Sequence, residues 1–132
     1  MERVIYFDLE TKYSAEEVGG WENIEDMGMS AGVIWDAAAE DFSVYLEHQI
    51  QDVIDHCRSA DRIVGFNHIG FDYRVIAGAA HVDSQMRSQL RTELAGLNNL
   101  DMLVELKKLL GHRLKLDSIA RATLGTGKSA DG

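Results

Sequence analysis

At 132 residues the chain has room for one hydrophobic core and not two, and its 45% hydrophobic and 27% charged residues are the balance of a soluble globular domain. A net charge of −9 argues against a nucleic-acid partner on charge alone, but residues 1–60 carry 3 Lys/Arg against 14 Asp/Glu and residues 61–132 carry 10 against 8. The lone Cys57 excludes an internal disulfide, and no signal segment or long apolar run appears, so a cytoplasmic protein with no membrane contact is expected.

The first element is a buried strand, Val4-Ile5-Tyr6-Phe7-Asp8-Leu9-Glu10-Thr11. Strand side chains alternate faces, so Asp8 and Glu10 point one way and Leu9 the other. Two acids on one face of an apolar strand repel each other and resist burial unless a cation lies between them. They read as half of a divalent-metal site. The plainer alternative is a polar strand end facing solvent.

Residues 12–30 are acidic, broken by Gly19, Gly20 and Gly28, and read as a long loop with one helical turn. Trp21 in this loop is expected to pin it to the core rather than to touch a substrate base. Residues 29–35 and 41–47 form a hairpin joined across Asp36 to Glu40. Residues 48–59 place Ile50, Val53, Ile54 and Cys57 at helical spacing. A short strand over 62–66 ends at Asn67, and a helix is expected from 71 to 79, then another over 84–95.

A short extended piece at 97–100 leads to Asp101, which can cap a helix carrying Leu103, Leu106, Leu109 and Leu110 on one face as ordinary core. Gly111 should end it, and Asp117 should cap a last helix through Leu124. The order is β-β-β-α-β-α followed mostly by helices, which predicts an α/β domain with a mixed sheet.

The second motif is Gly65-Phe66-Asn67-His68-Ile69-Gly70-Phe71-Asp72. Here Gly70 would allow a tight turn, and Asp72 would stand in the first turn of the next helix, aimed at the sheet end. If the 62–66 strand lies beside the first strand, Asp72 faces Asp8 and Glu10. Carboxylates alone, with no soft ligand, call for Mg²⁺ or Mn²⁺ rather than zinc.

Phe7-Asp8-Leu9-Glu10-Thr11 resembles the first motif of the DEDD 3′–5′ exonucleases, and Asn67-x-x-x-Phe71-Asp72 resembles their second. The likeness runs from residue 3 to about residue 124 and is nearest to bacterial and phage ribonuclease-H-like domains associated with helicases. It implies a ribonuclease-H-like fold: a mixed five-stranded sheet, three antiparallel strands then parallel ones, with helices on both faces. It also implies phosphodiester hydrolysis at the 3′ ends of DNA or RNA with two metal ions. Asp8 would bridge the ions, Glu10 would bind one and orient the water, and Asp72 would hold the other. Thr11 and Phe71 would line the terminal nucleotide, and Asn67 would fix the turn and touch the substrate.

The family's third motif, a Tyr or His four or five residues before a final Asp, has no counterpart before Asp131. A single domain over 1–132, cut short at its C-terminus, is therefore expected, its site completed by a missing segment or another chain. The alternative is a catalytically incomplete module that binds nucleic acid or a helicase, and a further one is another two-metal nuclease or phosphatase on the same fold. Gly127, Lys128 and Ser129 imitate a phosphate loop but follow a helix rather than a strand, so ATP binding is set aside. The five histidines show no ligand spacing, and His68 is expected to be a surface or turn residue.

Overall fold

A computed structural model describes residues 2–110 of the chain. The expected helix over 117–124, its preceding Gly111, the phosphate-loop-like residues and the missing third motif all lie outside them.

Five strands form one sheet: β1 (Val4–Thr11), β2 (Met29–Asp36), β3 (Asp41–Leu46), β4 (Arg62–Gly65) and β5 (Asn99–Asp101), in the order β3-β2-β1-β4-β5. The first three are antiparallel neighbours, whereas β4 joins β1 in parallel and β5 joins β4 in parallel. The helices are α1 (Ile50–Ser59), α2 (Tyr73–Ala80), α3 (Ser84–Ala95) and α4 (Met102–Leu110), with 3-10 segments at Trp21–Asp26 and Glu47–Gln49. This is the α/β architecture of a ribonuclease-H-like fold, as the order of elements implied.

The period-2 pattern of β1 sends Ile5, Phe7 and Leu9 into the core with Met29 and Ile34 of β2. On that face α1 contributes Val53, Ile54 and Cys57, α2 contributes Tyr73, Val75, Ile76 and Ala77, and α3 reaches in with Leu90 and Leu94. Phe7 and Tyr73 stack at 6.4 Å. Each large apolar side chain so buried contributes about 1.5–3 kcal/mol. Burial pushes the Cys57 thiol up to about 12, which leaves it an inert packing residue.

The opposite face of the sheet carries Tyr6, Asp8 and Glu10. Register places Phe42, Trp35 and Tyr6 in one row across the strands, and Val44, Val33 and Asp8 in the next. These apolar side chains are largely exposed among the described residues. A cleft of about 360 Å³ runs over them, with Met102 of α4 on its rim.

The lower end of the sheet is tied by Asp36. Its carboxylate accepts from Arg3 Nη2 at 2.7 Å and Nε at 2.9 Å, and from His56 Nε2 at 3.2 Å, while His56 Nδ1 accepts from the Tyr45 hydroxyl at 2.8 Å. These partners, Arg3 foremost, hold Asp36 down at about 2 against the opposing effect of burial.

Three expectations about packing change. Of the expected leucine stripe only Leu103 is buried among the described residues, and Leu109 is 80% exposed, so α4 is not an ordinary core helix there. His68 stands in a turn, one of the two places expected, but is fully buried there. Trp21 is 66% exposed and does not anchor its loop. Ile24 and Met27, a few residues on, do that instead.

Candidate functional site

β4 pairs with β1 only as far as Tyr6, while β1 runs on to Thr11 beside β2. The last residues of β1 therefore have an open edge on the β4 side, at the carboxyl ends of two parallel strands. The chain leaving β4 turns across that gap. Asn67 takes the left-handed conformation (φ 58°, ψ 25°), which a short polar side chain tolerates, and its carbonyl accepts from Phe71 N–H at 3.0 Å. Asn67, rather than Gly70, makes the turn. A single π turn, His68–Asp72, follows and swings Asp72 inward to 5% exposure. Asp72 closes this wide turn with helical angles (φ −56°, ψ −42°) and runs straight into α2. It therefore stands in the first turn of the helical run, as expected, but that turn is π.

The turn is fastened from β5. Asp101 accepts from the N–H groups of Asn67 (2.8 Å) and Ile69 (3.4 Å), and also from Leu103 N–H (3.0 Å), the expected helix cap. His68 Nε2 lies 3.2 Å from Asn99 Oδ1, which the Tyr73 hydroxyl also meets. His68 folds back over Gly65 so closely that a Cβ there would stand 2.6 Å from its Nδ1. Burial holds the His68 imidazole below its usual range, so it packs as a neutral ring.

On the other side of the site, β2 carries an extra residue where Glu10 pairs with Ala31 and Thr11 with Met29. Ser30, the bulged residue, reaches the carbonyls of Glu10 and Thr11 at 3.2 and 3.3 Å. Such a bulge re-aims the side chains next to it.

The electrostatics of the carboxylates are unbalanced. Asp72 is pushed up to about 8, first by burial and next by the charge of Asp8, with the Leu9 N–H opposing. Asp8 and Glu10 are both exposed at the strand end, and Asp8 is raised by the partial loss of solvent around it and then by Glu10. None of the ion pairs among the described residues involves Asp8, Glu10 or Asp72. The charge of Asp8 acts on Asp72 and that of Glu10 on Asp8, but Glu10 is not among the charges that act on Asp72. No group of three His, Cys, Asp or Glu among the described residues stands close enough together to hold an ion. The carboxylates here are hard oxygen donors without a counter-charge, the donor type that Mg²⁺ or Mn²⁺ takes, but they are not grouped as a three-ligand site among the described residues.

Two clefts adjoin it. One, of about 530 Å³, is walled by Glu10, Thr11, Trp21 and Phe71 among others. The second, of about 510 Å³, lies between Trp21, Ile24, Asn67, Gly70, Phe71 and Arg74. Trp21 and Phe71 meet edge to face at 6.2 Å. Thr11, Asn67 and Phe71 thus line clefts beside the carboxylates. Arg74 was not foreseen. Its signal was an arginine near the start of a helix, where the dipole disfavours a cation.

No family model matches the chain, and no curated protein matches it either. Solved structures do resemble it. One is the family B DNA polymerase from the hyperthermophilic archaeon Pyrobaculum calidifontis, with a TM-score of 0.51 and 18% identity over 80% of this chain. The match takes in 16% of that polymerase, so this chain spans about a sixth of its neighbour. The likeness is one of fold. It supports the ribonuclease-H-like reading of the sheet. Among the described residues no helix is long and apolar enough to cross a membrane.

Proposed function

We propose that the chain is a metal-dependent 3′–5′ exonuclease domain of the DEDD type, acting on the 3′ ends of nucleic acid. The observation that carries this reading is Asp72: a buried carboxylate, pushed up to about 8, beside Asp8 and without a basic partner. A buried acid set against a second acid is costly unless function requires it. The fold likeness to part of a DNA polymerase agrees with a nucleic-acid substrate.

Asp8 and Asp72 would hold the ions, and Glu10, beside Asp8 on the same face of β1, would orient the attacking water. When bound, Mg²⁺ or Mn²⁺ would lower the pKa of that water and offset charge on the leaving 3′ oxygen. Thr11 and Phe71 would line the terminal nucleotide, and Asn67 would shape the turn beside it.

The test is digestion of end-labelled single strands with Mn²⁺. The wild-type chain is expected to shorten them from the 3′ end, and Asp8→Asn and Asp72→Asn to lose at least about 100-fold in rate, the scale of removing one electrostatic contact in the transition state. Cleavage that survives both substitutions removes the proposal.

A second reading is a catalytically incomplete module that binds nucleic acid or a helicase. It is favoured by the absence of a three-ligand group among the described residues. Strand binding without cleavage at any metal concentration would establish it.

A further inference from the structure

Arg74 differs from every other arginine in the described residues. Arg3 pairs with Asp36, Arg58 with Glu93, Arg62 with Glu2, and Arg87 and Arg91 with Glu25. No carboxylate among the described residues meets Arg74, and its Nε is buried without a hydrogen-bond partner. A half-buried guanidinium with idle donors is costly in a chain with acid to spare. It forms part of the wall of the 510 Å³ cleft, with Trp21 and Phe71.

Trp21 is unusual in a related way. It exposes 66% of its surface, although the segment that bears it is well fixed. Gly20 N–H donates to Ala15 O at 2.8 Å, Asn23 Nδ2 to Val18 O at 2.9 Å, and Tyr13 N–H to Met27 O at 3.0 Å. Arg91 holds Glu25 at 3.0 Å from α3. Gly78 of α2 lets the segment approach closely, since a Cβ there would overlap the Glu25 carbonyl. The indole is therefore presented on a rigid frame, touching Phe71 by an edge and leaving most of its surface open.

We propose that Trp21 and Arg74 form a nucleotide subsite for single-stranded nucleic acid, in which the Trp21 ring stacks on a base and Arg74 takes a backbone phosphate. A flat aromatic face suits any base, and a planar fork of N–H donors suits a phosphate. The subsite adjoins Asp72 through Phe71, so it would hold the strand leading into the carboxylates. In assigning that direction it rests on the exonuclease reading. The binding itself does not.

The experiment is fluorescence anisotropy of labelled short single strands, DNA and RNA, in EDTA, between roughly 50 and 200 mM salt. Each is compared with a probe carrying abasic 3′ nucleotides. For at least one of the two sugars, Arg74→Gln is expected to lower the slope of log affinity against log salt by about 0.7, the share of one phosphate, and Arg74→Lys to keep it. Trp21→Ala is expected to weaken the base-bearing probe at least about fivefold and the abasic probe less than about twofold. Wild-type protein that does not bind, an unchanged slope in Arg74→Gln, or equal losses on both probes in Trp21→Ala would each overturn the subsite. If this pattern holds while Mn²⁺ digestion fails, the subsite stands and the nuclease reading falls. Digestion without the pattern keeps the nuclease reading and removes the subsite.

Discussion

Asp72 concentrates the chemistry of the site in one side chain. In the folded protein its carboxyl is raised to about 8, whereas in an unfolded chain it ionises near 3.8. Between these values the folded state binds more protons than the unfolded one, so stability falls as pH rises from about 4 to about 8 and then levels. Asp72→Asn removes this penalty. In EDTA its melting temperature should match wild type near pH 4 and exceed it at pH 8 by roughly 4 °C or more, equivalent to about 1 kcal/mol or more in a domain of this size. Circular dichroism melts across that range check it, and a gap that does not widen with pH would show that Asp72 ionises normally. The sequence pattern pointed to Asp72 through its motif. It could not show that burial, more than Asp8, raises its pKa.

At the scale of elements, the π turn between β4 and α2 decides where Asp72 stands. It depends on two contacts distant in sequence, Asp101 on the Asn67 and Ile69 amides and Asn99 on His68, and on one local fit, Gly65 under the His68 ring. Gly65→Ala puts a Cβ 2.6 Å from a fully buried imidazole with little room to move. The expected cost is about 1–3 kcal/mol, read as a lower urea midpoint with an unchanged slope. A midpoint within experimental error of wild type would mean that His68 yields freely. The motif's spacing was visible in the chain, but its mechanics were not. Asn67 takes the left-handed conformation expected of a glycine, and the buried face of His68 appears only once β5 lies beside β4.

Across the whole molecule, the sheet is closed at one end by the Arg3–Asp36–His56–Tyr45 chain, which joins the residue entering β1 to β2, β3 and α1. Asp36 is held at about 2, below its usual 3.8, so its contribution is fully present above about pH 4 and is lost as pH falls through 3.8 toward 2. Arg3→Met should flatten that acid limb and lower stability near neutrality by about 1 kcal/mol, modest because the Arg3 side chain is half exposed. Guanidinium-free acid titration of both proteins measures it, and superimposable curves would show the pair to be inert.

What the chain dictates locally came through in its periodicities. Alternation in residues 4–11 set Asp8 and Glu10 on one face, the two β-rich runs made the hairpin, and the helical spacing of Val53, Ile54 and Cys57 made α1. Those patterns depend on near neighbours, so they can be read without a fold, and with the order of elements they led to the α/β sheet. The tertiary structure alone decided which side chains lost or kept their partners. Asp72 lies within reach of the charge of Asp8 where β4 stops short beside β1, and His68 is buried against Asn99 of β5. Among the described residues Arg74 is left without a carboxylate, whereas Arg87 and Arg91 both reach Glu25. Such pairings join residues dozens of positions apart, where sequence spacing carries no periodic signal.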